Sequence, residues 1–461
     1  QGVQVMGLLE TRSLDFENLV ILSMNERVFP RRRSINSFIP NYIRRAHGMS
    51  TIEQQEAIVA FNFYRLLNRS RHVTLLYDSS AQKLGSSEPS RYIAQLEKVY
   101  GKRLHFVEMT PEVETTSAIT IEVPSAAGVS LRDRYTSDPV AGEGKYLSAT
   151  AINKYINCPL MFYFHYVQGL NDDNETSDFM DNGTFGTIIH DTLSDCYYSR
   201  QVRERGGLVD KAYLEFFKKG KLRDAVVRNI KKTYLHVPED QLDRDDQPLR
   251  GESFMMIDTI ESYVKFVIDY DMELIESQEP MTVVECEQTH DMPMMPMGGE
   301  HFNFTYKPDR IDRLADGTVR IVDYKTGGDE TSFTYREPGL QDLFERNMDK
   351  RRKAILQLFL YSYAYMEEHS EVTSVMPCIY KLASIEDSGV FWKGSKRGAK
   401  PQQYVFKRED PIALEFVAGM AGVIHSLYED GFEQAPENPK SRCCDYCRFI
   451  DFCRRAVSKA Y

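Results

Sequence analysis

Residues 311–327 combine two aspartates and a lysine in a pattern that predicts a β-hairpin. Asp312 lies on the first predicted strand, and the turn-forming sequence Ala-Asp-Gly at 315–317 reverses the chain into a second strand rich in β-branched residues. Asp323 and Lys325 are two residues apart, so both side chains should leave the same face of that strand. Asp312 should lie opposite or near them on the partner strand. Two carboxylates and an ammonium group would then converge on a small volume.

Carboxylates at such short range are unfavourable unless one of them is protonated or a cation lies between them. Hard oxygen ligands of this kind suit Mg²⁺ or Mn²⁺ better than zinc. The pattern therefore indicates a magnesium-type centre with an amine beside it. The alternative is a surface hairpin whose aspartate and lysine form a weak, exposed ion pair. A structure with Asp312 and Asp323 on opposite faces of the sheet would contradict the metal centre.

The chain is acidic overall, with a formal net charge of −11 over 461 residues. This charge disfavours a uniformly basic nucleic-acid-binding surface, so any contact with DNA must be local. Four basic segments could provide such a contact, although a solvated surface is the simpler interpretation of each. They are Arg31–Arg33, the run from Lys218 to Lys232, Lys350–Lys353, and the loop with Lys393, Lys396, Arg397 and Lys400 beside Trp392.

The length of the chain exceeds what one hydrophobic core usually supports, so two or more domains are expected. A hydrophobic fraction of 42% with 27% charged residues is typical of a soluble globular protein. No apolar run of membrane-spanning length and no signal peptide is recognisable, which predicts a cytoplasmic protein. Because the chain starts at Gln1, inside what looks like the middle of a domain, we expect a fragment of a longer polypeptide.

The sequence Ile-Asp-Arg at 311–313, followed by Asp-Tyr-Lys-Thr-Gly at 323–327, closely resembles the core of the PD-(D/E)XK nucleases of the RecB type. Where such nucleases usually have Gly-Arg-Ile-Asp-Arg, this chain has Asp309 in place of the glycine. Asp312 keeps the spacing of the family from the Asp-Tyr-Lys motif. The resemblance therefore implies that Asp312, rather than Asp309, is the ligand.

Further motifs of the same family lie in the expected order. His190 follows a glycine and an apolar pair at the start of a predicted helix. Glu287 fits a Val-x-x-Glu pattern on a predicted strand, with Glu285 as the second choice. Gln357 and Tyr361 match a Gln-x-x-x-Tyr motif that the family uses for packing beside the site and for DNA contact.

The resemblance implies that four of these residues hold one or two Mg²⁺ or Mn²⁺ ions: His190, Glu287, Asp312 and Asp323. Lys325 would position the attacking water or help to deprotonate it. The metals would stabilise charge on the scissile phosphate and on the leaving oxygen. The implied reaction is hydrolysis of phosphodiester bonds in DNA.

Eight cysteines occur, and three of them, Cys444, Cys447 and Cys453, form a compact C-x₂-C-x₅-C segment. In a reducing cytoplasm such spacing indicates metal binding rather than a disulfide, and three thiolates need a fourth ligand for zinc or for a cubane cluster. Cys443 is an alternative to Cys444. The AddB/RexB-type helicase–nuclease subunits are similar, and this resemblance implies Cys158 as the fourth ligand of a [4Fe–4S] cluster. Zinc stays open as the alternative metal, because spacing does not distinguish the two.

The N-terminal 108 residues resemble the C-terminal part of a superfamily 1 helicase domain. Residues 7–17 and 24–30 are similar to motif V, and residues 63–70 are similar to motif VI, whose arginine reaches the γ-phosphate of ATP. By position that arginine is Arg69; the alternative is that Arg69 belongs to the basic end of a helix. No G-x-x-x-x-G-K-[ST] loop occurs in the chain, so ATP would bind only in a complete helicase domain.

The predicted fold class is α/β. A restriction-endonuclease-like PD-(D/E)XK core with surrounding helices is expected at 146–461, after a helicase-like domain at 1–108 and a linker at 109–145 that contains one short strand. The Met- and Pro-rich segment 292–299 is predicted to be a flexible hairpin tip.

The resemblance implies a DNA exonuclease module of a helicase–nuclease that acts in double-strand-break repair and recombination. DNA and a second helicase–nuclease subunit of AddA type would be its partners. A catalytically silent subunit that binds DNA or acts as a scaffold is the first alternative. A Cas4-like nuclease, which shares the catalytic and cysteine motifs, is the second.

Overall fold

The computed structural model describes residues 3–11, 14–31, 41–79, 88–109, 119–121, 130–142, 144–170, 180–242, 248–278, 280–327, 331–334, 340–346, 352–393, 401–436, 444 and 447–453. Two compact units divide the chain, the first at 1–113 and the second at 114–461.

The first unit alternates strands and helices, as the sequence predicts. Its elements are β1 (Asn18–Ile21), α1 (Asn41–Ala46), α2 (Ile52–Asn68), β2 (His72–Leu75) and α3 (Arg91–Lys98). β1 and β2 pair in parallel. α2 begins at a capping box, in which Thr51 and Gln54 each accept a hydrogen bond from the backbone N–H of the other. Phe63 of α2 stacks on Tyr92 of α3 and forms the centre of a small core.

The second unit opens with short strands and a group of helices. These are β3 (Thr120–Ile121), α4 (Leu131–Thr136), β4 (Leu147–Ser148), α5 (Ala149–Asn157), α6 (Pro159–Phe162), a π-helical turn (Tyr163–Val167), α7 (Asn182–Tyr197), α8 (Arg200–Glu204), β5 (Leu208–Val209), α9 (Lys211–Gly220), α10 (Leu222–Thr233) and α11 (Glu252–Gln278).

The remainder of the second unit contains most of the strands. They are β6 (Met281–Cys286), β7 (His290–Met297), β8 (Glu300–Tyr306), β9 (Arg310–Arg313), β10 (Val319–Lys325), β11 (Ser332–Thr334), β12 (Ser374–Lys381), β13 (Phe391–Lys393), β14 (Gln402–Gln403), β15 (Phe406–Lys407) and β16 (Phe432–Glu433). The helices between and after them are α12 (Gln341–Phe344), α13 (Lys353–Glu368), a 3₁₀ turn (Ile385–Asp387), α14 (Pro411–Glu429) and α15 (Ile450–Cys453).

A six-stranded mixed sheet in the order β15-β12-β10-β9-β6-β5 forms the centre of the second unit. β10 pairs in parallel with β12 and antiparallel with β9. Its residues are buried on both faces as far as Tyr324, which is why the segment reads as a continuous apolar run rather than as an alternating one. Val319 and Ile321 belong to one hydrophobic cluster together with α13, and Val322 and Tyr324 belong to a second with α7 and α11.

A second sheet, in the order β4-β8-β7, corrects one expectation. The segment 292–299, predicted to be a flexible tip, is mostly strand β7. Met292, Met295 and Met297 are buried in the core. A β-bulge between Met292 and Met295, where exposed Met294 has a positive φ, shifts the register so that all three face inward. Only Gly298 and Gly299, both with positive φ, form the turn to β8.

Within the described residues, one helix is long and apolar enough to cross a membrane by length and composition, and it is α14. In the structure α14 packs on β7 and β8 and buries Phe416, Met420 and Ile424 in the core of the unit.

Part of the predicted linker is structured. β3 pairs with β16, and α4 packs against β8 and α14. Asn303 of β8 donates a hydrogen bond to the carbonyl of Ser137, just after α4. The described residues from 119 onward therefore belong to the second unit.

Candidate metal centre

Four elements bring acidic and basic side chains to the end of the central sheet where strands β6 and β10 finish, which is called the sheet edge below. Asp323 lies near the carboxyl end of β10. Asp309 directly precedes β9, and its Oδ2 accepts a 2.6 Å hydrogen bond from the backbone N–H of Tyr324. Glu287 directly follows β6 with a φ of +53°, and its backbone N–H donates to the carbonyl of Pro308 at 3.1 Å. These backbone links fix both carboxylates relative to the strand ends.

His190 completes the group from the middle of α7. Its Nδ1 lies 3.3 Å from Oε1 of Glu287 and 3.5 Å from Oδ1 of Asp309. One ligand atom from each of these three residues lies within 4.8 Å of the others. His190 Nε2 is 3.2 Å from the carbonyl oxygen of Tyr324. A proton on Nε2 would donate to that carbonyl and leave the Nδ1 lone pair facing the two carboxylates, which is the usual support of a metal-binding histidine.

Asp323 and Lys325 form a second group beside the first. Lys325 Nζ lies 2.9 Å from Oδ2 of Asp323, and Gln357 of α13 donates a hydrogen bond from Nε2 to Oδ1 at 3.1 Å. The Asp323 side chain is 2% exposed and the Lys325 side chain is 26% exposed. Lys325 and Gln357 both donate their hydrogen bonds to Oδ1, so within the described residues the buried Oδ2 has only its ion-pair contact with Lys325, while the amine keeps access to solvent.

The electrostatics of the site follow from burial and from these neighbours. Burial raises the pKa of Asp323 to about 6, although Lys325 opposes the shift. Burial also disfavours ionisation of Asp309, but the charge on His190 and the hydrogen bonds to Asp309 outweigh it and lower the pKa of this carboxyl. Burial disfavours the charged imidazole of His190, and the carboxylates of Asp309 and Glu287 overcome that effect and raise its pKa to about 10.

Asp312, predicted to be a ligand, lies elsewhere, so the structure contradicts a metal centre formed by Asp312 and Asp323 together. The register of the hairpin places Asp312 opposite Arg320, three residues before Asp323, so the side chains of Asp312 and Asp323 leave opposite faces of the sheet. Arg320 Nε donates to Oδ1 of Asp312 at 2.7 Å, and Arg310 Nε lies 3.0 Å from Oδ2. Asp312 is fully buried. It balances two buried arginines instead of facing the metal centre.

Asp309 occupies the position that Asp312 was expected to fill. The sequence already contained a signal for Asp309. In a hairpin whose turn is at 315–317, each residue of the first strand pairs with the residue equally far beyond the turn on the second strand. Ile321 pairs with Ile311 and Val322 with Arg310, so the next position places Asp309 beside Asp323.

The remaining predicted site residues divide into those near the centre and those away from it. Glu285, the second choice, contacts Nε2 of His290 at 2.6 Å and takes no part in the three-residue group. Tyr361 accepts a hydrogen bond from Gln357 but is only 7% exposed and packs on the ring of Tyr306. DNA contact by Gln357 and Tyr361 stays a prediction.

The segments that carry Cys158 and the terminal cysteines, from both ends of the second unit, pack against each other. Burial raises the pKa of the Cys447 thiol, and the neighbouring Cys158 and Cys444 add to the shift. Phe164, shortly after Cys158, contacts the rings of Phe449 and Phe452 at centroid distances of 5.3 and 5.4 Å. Cys158 and Cys453 pack against the same hydrophobic cluster, and Cys443 lies outside the described residues.

In the first unit, Arg69 Nη1 lies 2.7 Å from Oδ2 of Asp15, and both side chains are largely exposed.

The basic segments predicted as DNA contacts are partly described. In the run from Lys218 to Lys232, the side chains of Lys218, Lys219 and Lys232 each pair with an acidic side chain. The other basic residues named as DNA contacts lie mostly outside the described part of the chain: Arg32, Arg33, Lys350, Arg351, Lys396, Arg397 and Lys400.

Comparison with known proteins identifies the family. The sequence model of the PD-(D/E)XK nuclease superfamily matches residues 146–454. The chain therefore belongs to the PD-(D/E)XK nuclease superfamily. No curated protein is significantly similar to it in sequence.

Two solved structures match the chain with low overall similarity. The first is a protein from Eubacterium rectale provisionally named an exonuclease, with 10% sequence identity, a TM-score of 0.30, and coverage of 68% of this chain and 90% of the other. The second, the protein SSO0001, has 13% identity, a TM-score of 0.20, and coverage of 59% of this chain and 94% of the other.

Proposed function

We propose that the second unit is a metal-dependent deoxyribonuclease whose centre is formed by His190, Glu287, Asp309 and Asp323, with Lys325 beside it. The observation that carries the proposal is the convergence of a histidine and two carboxylates within 4.8 Å, next to an aspartate–lysine pair on the adjacent strand. Membership of a nuclease superfamily supports the same reaction class.

The donor set suits a hard divalent ion. His190, Glu287 and Asp309 offer one nitrogen and carboxylate oxygens, a combination that binds Mg²⁺ or Mn²⁺ with open positions left for water and phosphate. The carbonyl of Tyr324 orients the imidazole, and the N–H of Tyr324 orients Asp309. Such an ion would supply Lewis-acid stabilisation of the charge that develops on the phosphate.

Other side chains near the centre would position the attacking water and the Asp323 carboxylate. Lys325, anchored on Asp323 and partly open to solvent, can hold the attacking water, and after losing its own proton it can accept one from that water. Gln357 holds the Asp323 carboxylate in one orientation through its hydrogen bond to Oδ1. The apolar clusters on both faces of the sheet keep the strand ends rigid.

We further propose the biological role that the sequence motifs imply. The second unit would act as the exonuclease of an AddB-like helicase–nuclease in double-strand-break repair, with a subunit of AddA type as its partner in the cytoplasm. The helicase-like motifs of the first unit and the order of the nuclease motifs support this role. Arg69 would meet ATP only when the helicase domain is complete.

The clustered cysteines support a sulfur-bound metal that joins the two ends of the second unit. Cys158 precedes the nuclease motifs, and Cys444, Cys447 and Cys453 follow them. The contact between the segments of Cys158 and of the terminal cysteines fits a shared metal group, for which we propose a [4Fe–4S] cluster. A brown colour with broad visible absorption in anaerobically purified protein would support the cluster. A colourless protein that contains zinc would contradict it.

Cleavage of linear DNA tests the nuclease assignment. The wild-type chain should cut DNA with Mg²⁺ or Mn²⁺ and not with EDTA, and Asp309→Ala and Asp323→Ala should each abolish cutting while leaving the fold intact. Glu285→Gln is the matched control, since Glu285 lies on β6 beside Glu287 but contacts His290 instead. Wild-type cutting rates in Asp323→Ala would refute the assignment.

A further inference from the structure

The two carboxylate oxygens of Glu287 are held by different basic groups. His190 Nδ1 lies 3.3 Å from Oε1, and Lys307 Nζ lies 2.6 Å from Oε2. Lys307 follows β8 and stands one residue before Pro308, whose carbonyl accepts the backbone N–H of Glu287. The backbone thus keeps the lysine beside the carboxylate.

The centre contains its own counter-charges. Three carboxylates, Glu287, Asp309 and Asp323, lie among three basic groups, His190, Lys307 and Lys325. Lys307 has the most exposed side chain of the basic groups, at 51%, compared with 22% for His190 and 26% for Lys325. It is therefore the group that can leave the centre with the least rearrangement.

An ammonium group carries no lone pair and cannot join the ligands of a metal ion. It attracts the same carboxylate that a divalent cation would use and repels that cation at short range. An ion pair with one half-exposed partner is weak and exchanges readily with solvent. A divalent ion can consequently displace Lys307 from Glu287.

We infer that Lys307 is a displaceable counter-ion of the metal centre: it holds the Glu287 carboxylate in place in the ion-free chain and competes with the divalent ion for it. This role rests on the metal centre proposed above. Lys307 lowers the affinity for the ion and keeps the acidic edge of the sheet neutralised until the ion binds.

Titration of the DNA-free chain with Mn²⁺, followed by calorimetry or by the electron paramagnetic resonance of free Mn²⁺, measures this competition. Lys307→Met should bind Mn²⁺ roughly threefold to tenfold more tightly than the wild type, and raising the salt concentration should reduce the difference. Lys307→Arg keeps the charge and should restore affinity to near the wild-type value. Lys232→Met is the matched control, because Lys232 pairs with Asp191 beside His190 and has 43% exposure.

Equal or weaker Mn²⁺ binding in Lys307→Met would overturn the inference while leaving the nuclease centre intact. A wild-type chain that binds no Mn²⁺ would overturn the metal centre itself, and with it the role of Lys307. Thermal melting of each variant establishes folding. If Lys307→Met does not fold, Lys307→Gln, which also lacks the charge, takes its place in the comparison.

Discussion

Asp309 and Asp312 are three residues apart, yet their carboxylates lie on opposite faces of the central sheet and meet different partners. Asp309 contacts His190 at the sheet edge, and Asp312 contacts Arg310 and Arg320 in the core. The first belongs to the proposed metal centre, and the second balances buried charge. The two aspartates should therefore respond differently to the same substitution.

Asp312→Asn should destabilise the protein, because it leaves two buried arginines without their full counter-charge. Loss of one partner from a buried ion-pair network costs about 3–5 kcal/mol. Asp309→Asn should change stability less but abolish cleavage. Urea unfolding and DNA cleavage, both measured where each variant is folded, would separate the two effects. An Asp312→Asn chain as stable as the wild type would contradict the role in the core.

Gln357→Leu should slow cleavage about tenfold or more with little change in KM. The lost hydrogen bond to the Asp323 carboxylate is of the charge-assisted kind, which contributes about 1.5–3 kcal/mol. Steady-state kinetics on a short duplex would measure the change. Gln403→Leu is a suitable control, since Gln403 donates to the carbonyl of Pro377 on another part of the same sheet. A similar loss in both variants would indicate a general effect on folding.

The stability of the second unit should fall between about pH 6.5 and 9. Hydrogen bonds to Glu285 and Glu368 raise the pKa of His290 from 6.5 to about 9. The folded protein therefore binds a proton that the unfolded chain releases above pH 6.5, so the contribution is complete below that pH and is lost as the pH rises through 9. Thermal melting of the wild type and of His290→Gln across this range would measure it. A difference between the two that does not shrink with rising pH would refute the prediction.

Cys158→Ser should remove the metal-dependent colour and lower the melting temperature, because the proposed sulfur ligands join segments separated by most of the second unit. Cys378→Ala is the control, since Cys378 is buried on β12 among apolar side chains. It should lose some stability through its cavity but keep the colour. Retention of full colour by Cys158→Ser would exclude this cysteine as a ligand.

Much of the site could be predicted from the sequence because it depends on local patterns. The spacing of Asp323 and Lys325 predicted two groups on one face, and the structure has them 2.9 Å apart. His190 and Glu287 were selected by motif, and their side chains lie 3.3 Å apart, while their role as metal ligands stays a prediction. The strand and helix patterns of both units were also recognisable, because burial of alternate or helically spaced residues leaves a direct trace in the sequence.

The choice between Asp309 and Asp312 was decided only by the tertiary structure. Both aspartates fit an acidic residue before the Asp-Tyr-Lys strand, and the motif spacing favoured Asp312. Strand pairing instead placed Asp312 opposite Arg320, and only the packing of α7 and α11 on that face made it a buried ion-pair partner. The sequence alone therefore determined which chemical groups the protein carries and which strands present them. Strand register and helix packing determined which carboxylate meets the histidine. The reason is that side chains on one face of a sheet can form a site only where the helices packed on that face leave them accessible.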